Sequence, residues 1–306
     1  MSRRLRYIPE GGALVEVTCR TLQSRFLLRP SLMLDDIVVG VLARAQRTYP
    51  VRCCGLSFVS NHFHLLLEVD DARQLASFMC YLNSNLAREV GRLVDWPDKV
   101  WARRYQMIVI SNEADAQVAR LRYVLAHGVK ENLVERVFDW PGVHCARALV
   151  EGVPMVGTWF DRTQERAARQ RGESFDRLRY ATSETLILSP LPCWKHLPLE
   201  AQRRLAAGLV AEIESDAAAE RQRTGSQVLG ATAFRGQDPH KRPARSKKSP
   251  APLFHALTKT ARQELYTGYA WFVAAFREAA EKLRRGIRDV SFPIGSFPPP
   301  LPFAAT

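Results

Sequence analysis

Between residues 12 and 127 the apolar positions follow two periods in turn. Residues 12 to 19 hold Leu14, Val15 and Val17 in a short apolar run, which predicts a first strand. Leu34, Ile37, Val38, Val41, Leu42 and Ala45 recur at helical spacing, which predicts a helix ending near Arg47, before Tyr49-Pro50. Val51 to Val59 and Asn61 to Val69 are two more strand-like runs. Only Ser60-Asn61 separates them, so they are expected to pair as a tight antiparallel hairpin. Asp70-Asp71 opens a second helix, whose core stripe is Leu75, Phe78, Met79, Leu82 and Leu86. The second half of Trp101 to Ile110 reads as a fourth strand. Ser111 is placed to cap a third helix, with Glu113 and Asp115 in its first turn and Gly128 as its stop. The apolar stripe of that helix is Ala114, Val118, Leu121 and Leu125.

This order is the βαββαβ arrangement of a ferredoxin-like α+β sheet, with one more helix after the last strand. The two hairpin strands are expected near the middle of the sheet. After Trp140-Pro141-Gly142 the character changes. Residues 1–150 are therefore read as one domain and 151–223 as a mostly helical extension. Residues 224–306 are read as a basic linker, a long helix and a Pro-rich tail. Within the extension, residues 151 to 182 are expected to be helical in part, and Glu184 to Leu188 to form a short strand. Pro198 to Arg223 is expected as a helix with Leu205, Leu209 and Ile213 inside. Thr224 to Pro252 carries Arg235, Lys241, Arg242, Arg245, Lys247 and Lys248 against one acid, Asp238. Phe254 to Arg285 reads as a final helix bearing Tyr266, Tyr269, Trp271, Phe272 and Phe276. The prolines of Phe292 to Phe303 impose an extended tail.

Within the third strand, His62 and His64 flank Phe63. A strand turns over at each residue, so the two imidazoles share one face. On the third helix, Tyr123 and His127 are four residues apart and fall on a common face, with Arg120 on the same side and away from the apolar stripe. Together these residues suggest a metal beside a nucleophile. His62, His64 and His127 would hold one divalent ion with positions left open, and Tyr123 would attack a phosphate. A phenol ionises near pH 10, so basic neighbours such as Arg120 or Lys130, or the metal, would favour its phenolate. Glu68 shares the parity of the two histidines and is either an orienting carboxylate or a solvated strand end. Tyr105, after Arg103-Arg104, is suited to base stacking or to strand packing; Tyr81 reads as surface or packing.

Composition narrows the partner. The 306 residues are 46% hydrophobic, enough for a real core, and their net charge is +13. Such an excess favours an anionic partner, nucleic acid first. None of the six cysteines forms C-x-x-C, which argues against a zinc ribbon and a disulfide scaffold. Reduced thiols in a cytoplasmic protein are expected instead. No run approaches the ~18 apolar residues of a membrane span.

Ser60-Asn-His-Phe-His-Leu-Leu-Leu67, followed by Arg122-Tyr123-Val-Leu-Ala-His127-Gly128, resembles the single-tyrosine HUH transposases. Within them it looks like the REP-associated tyrosine transposase branch, also called transposase IS200-like. Trp101-Ala-Arg-Arg-Tyr105 and Asp139-Trp140-Pro141-Gly142 fit that branch too, and the match spans about residues 8 to 145. The resemblance implies a bacterial enzyme that cleaves and rejoins single-stranded DNA at hairpin-bearing ends through a 5′-phosphotyrosine. It places His62 and His64 at the HUH positions and Tyr123 at the nucleophile, with Mg2+ or Mn2+ as the usual metal. The third ligand of the family is commonly an amide four residues past the tyrosine. Here that position is His127, and an all-imidazole set favours a softer ion than magnesium. Arg120, Lys130, Arg103 and Arg104 are the candidate phosphate contacts. A homodimer, with Tyr123 acting in its own subunit or in the partner, is compatible with this reading. Two rivals stand beside it: a nucleic-acid-binding relative that has lost catalysis, and a zinc hydrolase using water.

Overall fold

Both faces of the first strand are covered. Along β1 (Ala13–Arg20) only Thr18 and Arg20 reach toward solvent, and even Glu16 is buried. The computed structural model describes residues 4–172, 176–244 and 252–300. Arg245, Lys247 and Lys248 of the basic stretch, and the end of the tail from Leu301 to Phe303, lie outside the described residues.

After β1 come α1 (Leu32–Thr48), β2 (Arg52–Val59), β3 (His62–Val69), α2 (Ala72–Leu93), β4 (Gln106–Ile110) and α3 (Ala114–Leu125). The four strands lie in the order β2-β3-β1-β4, each antiparallel to its neighbours. α1 is capped by the Ser31 hydroxyl and α2 by the Asp71 carboxylate, which accepts from the Arg73 and Gln74 N–H groups. α1 and α2 pack together, while α3 lies against β2, β3 and β4. Phe63 stacks on Phe58 and meets Trp101 edge-on, whereas His64, one residue along β3, meets Tyr123 of α3. The alternation of the strand thus sends the histidines to the α3 face.

The rest of the chain comprises α4 (Ala146–Val150), β5 (Met155–Phe160), α5 (Arg162–Gln170), β6 (Ala181–Leu186), α6 (Leu199–Thr224), α7 (Ala231–Arg235), β7 (Phe254–His255) and α8 (Lys259–Arg284). β7 adds to the free edge of β4 in parallel, which makes the sheet five-stranded and mixed. Phe254 therefore belongs to a strand, and the last helix starts at Lys259. β5 and β6 form a separate antiparallel pair against α1. The expectation that 151 to 182 is helical in part is met by α5 and a 3-10 turn at Arg177–Tyr180, and the strands β5 and β6 take much of the rest. Arg44 lies over the Trp159 ring at 4.0 Å and Arg177 over Phe160 at 3.7 Å. These residues read as charged helix because their cations serve aromatic strand residues rather than water.

Three further expectations are corrected. Ser111 does not cap α3: its hydroxyl donates to the Glu113 carboxylate at 2.5 Å, and Glu113 is the cap residue by backbone alone. The buried set of α3 is Ala116, Gln117, Leu121, Val124 and Leu125, with Ala114 exposed. The helix is covered on more than one side, which a single stripe cannot describe. Leu205 of α6 is exposed, while Ala206, Leu209, Val210 and Ile213 are buried. Among the described residues no helix is long and apolar enough to cross a membrane.

Candidate functional site

Two elements meet at the site, and each is held by local packing. β2 offers no side chain at Gly55, where a Cβ would stand 2.9 Å from Leu121 Cδ1 and 3.7 Å from Leu66 Cβ. The missing side chain lets α3 seat closely on the sheet. At the other end of α3 the chain turns at Gly128, whose φ of +93° suits glycine. Trp140 packs on that turn, its Cε3 only 3.0 Å from where a Gly128 Cβ would be. The Trp140 indole N–H donates to Phe58 O at 2.9 Å and its ring stacks on Phe234. His127 sits in this turn, just beyond the last residue of α3 rather than inside it.

The structure brings His62, His64 and His127 together. One ligand atom from each lies within 4.8 Å of the others. The His64 and His127 rings are 4.0 Å apart, and His62 is 5.0 Å from His64 and 5.9 Å from His127. Tyr123 joins them, its ring 4.9 Å from His127 and 5.6 Å from His64. It is 38% exposed, so a substrate can reach it.

Burial pushes the pKa of each histidine down, and each is neutral near pH 7. Mutual repulsion adds to this at His62 and His127; Glu16 opposes it at His64. In neutral imidazoles the hydrogen bond at one nitrogen sets where the other's lone pair is free. His62 Nδ1 lies 2.7 Å from Asn61 Oδ1, and His64 Nδ1 lies 2.6 Å from Glu16 Oε1 and 3.1 Å from Thr18 Oγ1. His127 Nδ1 lies 3.2 Å from Val124 O. His64 Nε2 is buried and without a hydrogen-bond partner among the described residues. A buried, unpartnered nitrogen among neutral imidazoles is what a divalent ion needs, and the three residues can hold one.

Cations crowd the tyrosine without lowering its pKa. Lys130 Nζ stands 3.5 Å from the Tyr123 ring centroid and Arg120 Cζ 4.7 Å. Burial and Glu16 nevertheless raise the Tyr123 pKa above 10, outweighing Arg120 and Arg20. Arg120 thus favours the phenolate, as expected, but not enough to offset burial and Glu16. Arg120 is spent on Glu16, with which it pairs through Nε. Lys130 is turned to His127, its Nζ 3.1 Å from Nε2. Arg103 and Arg104 are exposed on the loop before β4, Arg103 within reach of the charge of Arg20, which also acts on His62 and Tyr123. With Arg4, Arg6, Tyr105 and Phe297 they line a cleft of about 610 Å³. Tyr105 is held there by Arg6, which lies 3.8 Å over its ring.

Glu68 does not orient a histidine. It pairs with Arg52 at 2.8 Å and Lys195 at 2.5 Å. Glu16 on the neighbouring strand takes that contact, and sequence reasoning missed it together with Thr18 and Arg20. The signal was present: Glu16, Thr18 and Arg20 alternate with Val15, Val17 and Cys19. In register they stand opposite Leu66, His64 and His62. A polar residue at every second position of an apolar strand marks a face turned to a site.

No protein-family model and no curated protein matches the chain. Among solved structures, a REP-associated tyrosine transposase bound to a REP hairpin aligns at 19% identity with a TM-score of 0.41. The alignment covers 49% of this chain and 86% of that one. A protein from Deinococcus radiodurans R1, provisionally assigned as a transposase, aligns at 17% identity with a TM-score of 0.29, covering 39% of this chain and 94% of its own. At such scores the chemistry has to be argued from the residues themselves.

Proposed function

We propose that this chain is a transposase-like enzyme that cleaves and rejoins single-stranded DNA at hairpin-bearing sites. The observation that carries the reading is one cluster: an accessible tyrosine ring within 6 Å of two imidazoles of a three-histidine group. The sequence resemblance and the net charge of +13 support it. The strand order β2-β3-β1-β4, with α1 and α2 as crossovers, supports a ferredoxin-like core for residues 1–150, followed by the helical extension and the basic C-terminal part.

A divalent ion, Mg2+ or Mn2+, held by His62, His64 and His127 would supply Lewis-acid polarisation of the scissile phosphate. Tyr123 is the nucleophile. Its oxygen bonds to phosphorus, the bond from phosphorus to the 3′ oxygen breaks, the phenol proton passes to solvent, and the departing 3′ oxygen takes up a proton from solvent to leave as the 3′ hydroxyl. Rejoining is the reverse, with a 3′ hydroxyl attacking the phosphotyrosine. Lys130 leaves His127 to meet a phosphate, and Arg103, Arg104 and Tyr105 guide the strand along their cleft.

Incubation of the protein with a hairpin-flanked single strand and Mn2+ tests the proposal. It is expected to leave a covalent protein–DNA adduct that Tyr123→Phe abolishes. An undiminished adduct in that variant would sink the assignment. The all-imidazole donor set favours a second reading, a zinc hydrolase with water as nucleophile. Strand cleavage that needs zinc and leaves no adduct would establish it.

A further inference from the structure

One buried carboxylate touches both halves of the site. Glu16 is 1% exposed, in the middle of β1. Its Oε1 lies 2.6 Å from His64 Nδ1, and its Oε2 pairs with Arg120 of α3. Paired with the Arg120 guanidinium on its other oxygen, Glu16 serves as a carboxylate, able only to accept. An imidazole that donates to it from Nδ1 keeps its lone pair on Nε2, the buried nitrogen that lacks a partner among the described residues. Arg120 reaches Glu16 from the helix one turn before Tyr123 and lies over that ring as well. Lys130, Glu131, Arg20 and His255 also face this region, and none of them makes a salt bridge to Glu16.

We infer that Glu16 is the positioning carboxylate of this centre: it fixes His64 with Nε2 presented to a metal, and through Arg120 it sets the place of the Tyr123 helix over that metal. The inference rests on the metal reading of the three histidines but goes beyond it, because it assigns a role to a residue on a strand outside the HUH motif. A carboxylate behind a ligating imidazole raises its basicity and locks its ring, and loss of such a partner typically costs about 10–100-fold in metal affinity. Arg120 makes the same carboxylate answer to the nucleophile's helix. A change at Glu16 should therefore be felt at Tyr123 as well as at His64.

The test uses the full chain. Nitrogen-15 NMR of the metal-free protein is expected to show His64 protonated on Nδ1. Titration with Mn2+ alone is expected to give a dissociation constant about 10–100-fold weaker for Glu16→Gln than for the parent. Glu16→Gln keeps the size and an acceptor oxygen; if it fails to fold, Glu16→Gln/Arg120→Gln removes the stranded buried cation and is titrated instead. A parent His64 protonated on Nε2 would overturn the inference while leaving the metal site standing. So would Mn2+ binding within threefold of the parent in a folded variant. A parent that binds no Mn2+ despite the Nδ1 tautomer would overturn the metal reading itself, and with it the role of Glu16.

Discussion

Lys130 stands where it competes with a metal. His127 Nδ1 is turned to Val124 O at 3.2 Å, so its lone pair is on Nε2, and Lys130 Nζ is 3.1 Å from that atom. Ligation through Nε2 first requires this hydrogen bond from an ammonium to break. Hydrogen bonds involving a charged group contribute about 1.5–3 kcal/mol net. The Lys130 side chain is 31% exposed and keeps Glu131 at 3.6 Å as a second partner, so the lower end applies, about 1.5 kcal/mol. That amounts to roughly tenfold in a dissociation constant. Repulsion between the ammonium and a divalent ion acts in the same direction. Lys130→Met keeps the methylenes over the Tyr123 ring and removes the donor and the charge. It is expected to bind Mn2+ about tenfold more tightly than the parent, by calorimetry at one pH and one ionic strength. Lys130→Arg retains the charge and stays close to the parent. On the proposed reading the lysine also contacts phosphate, so Lys130→Met is expected to weaken binding of a single-stranded oligonucleotide. The two affinities thus move in opposite directions. Unchanged or weaker Mn2+ binding in Lys130→Met would refute the competition.

Proton competition for the same ligands is expected to be slight. Three histidines with ordinary pKa values near 6.5 would lose on the order of 70-fold in metal affinity at pH 6 through protonation. Here burial holds all three below that value, so Mn2+ affinity should change less than tenfold between pH 7.5 and 6; a larger loss contradicts the burial argument. Gly128→Ala places a Cβ 3.0 Å from Trp140 at a φ of +93°. The left-handed conformation alone costs about 1–2 kcal/mol, so thermal denaturation should show a lower midpoint, and Mn2+ binding should weaken because His127 is the preceding residue. Asp35 is pushed up to about 7 by burial, against Arg235. Its folded pKa exceeds its unfolded value of 3.8, so the folded chain retains a proton that the unfolded chain has lost. Its contribution to stability therefore declines as pH rises from about 4 to about 7. Asp35→Asn should raise the denaturation midpoint at pH 8 and leave it unchanged at pH 4; equal effects at both would refute this.

Periodicity carried the first seven elements, since each buries a regular apolar set on a sheet or a helix. It failed where cations cover aromatics, as Arg44 does at Trp159 and Arg177 at Phe160. It also failed at β7, two residues long and held by pairing to β4, which no local pattern announces. The grouping of His62, His64, Tyr123 and His127 was legible because strand parity and helix spacing are local rules. Glu16 was not, although Glu68 satisfied the same parity. Choosing between them needs the β1–β3 register, which puts Glu16 opposite Leu66 and Thr18 opposite His64, and the long-range pairs that occupy Glu68 with Arg52 and Lys195. Nor does the sequence say that Arg120 and Lys130 are already engaged, because their partners lie on another strand and in the turn.

The position of Tyr123 is fixed from several directions at once. Leu121 enters the space left by Gly55, Arg120 is tied to Glu16 on β1, and the turn after the helix is pressed by Trp140. The partly buried His144, whose Nδ1 accepts from the Ala146 N–H, faces the Val124 and Leu125 backbone. These contacts come from three separate segments, β1, β2 and residues 140–144, and none of them involves the tyrosine's own hydroxyl. The hydroxyl therefore gains its place without being consumed by a structural hydrogen bond. A phenol kept free, partly exposed and high in pKa is poor at binding an anion alone but well placed to react once charge is supplied nearby. Loosening any one anchor should reduce the rate of adduct formation more than oligonucleotide affinity, because the proposed phosphate contacts Arg103 and Arg104 belong to a different segment from the helix. Trp140→Phe, which removes the hydrogen bond to Phe58 O but keeps an aromatic on Gly128, is the mildest such change. Single-turnover adduct formation in that variant should slow several-fold at unchanged affinity; an equal loss in both would mean that the helix and the strand path are one unit.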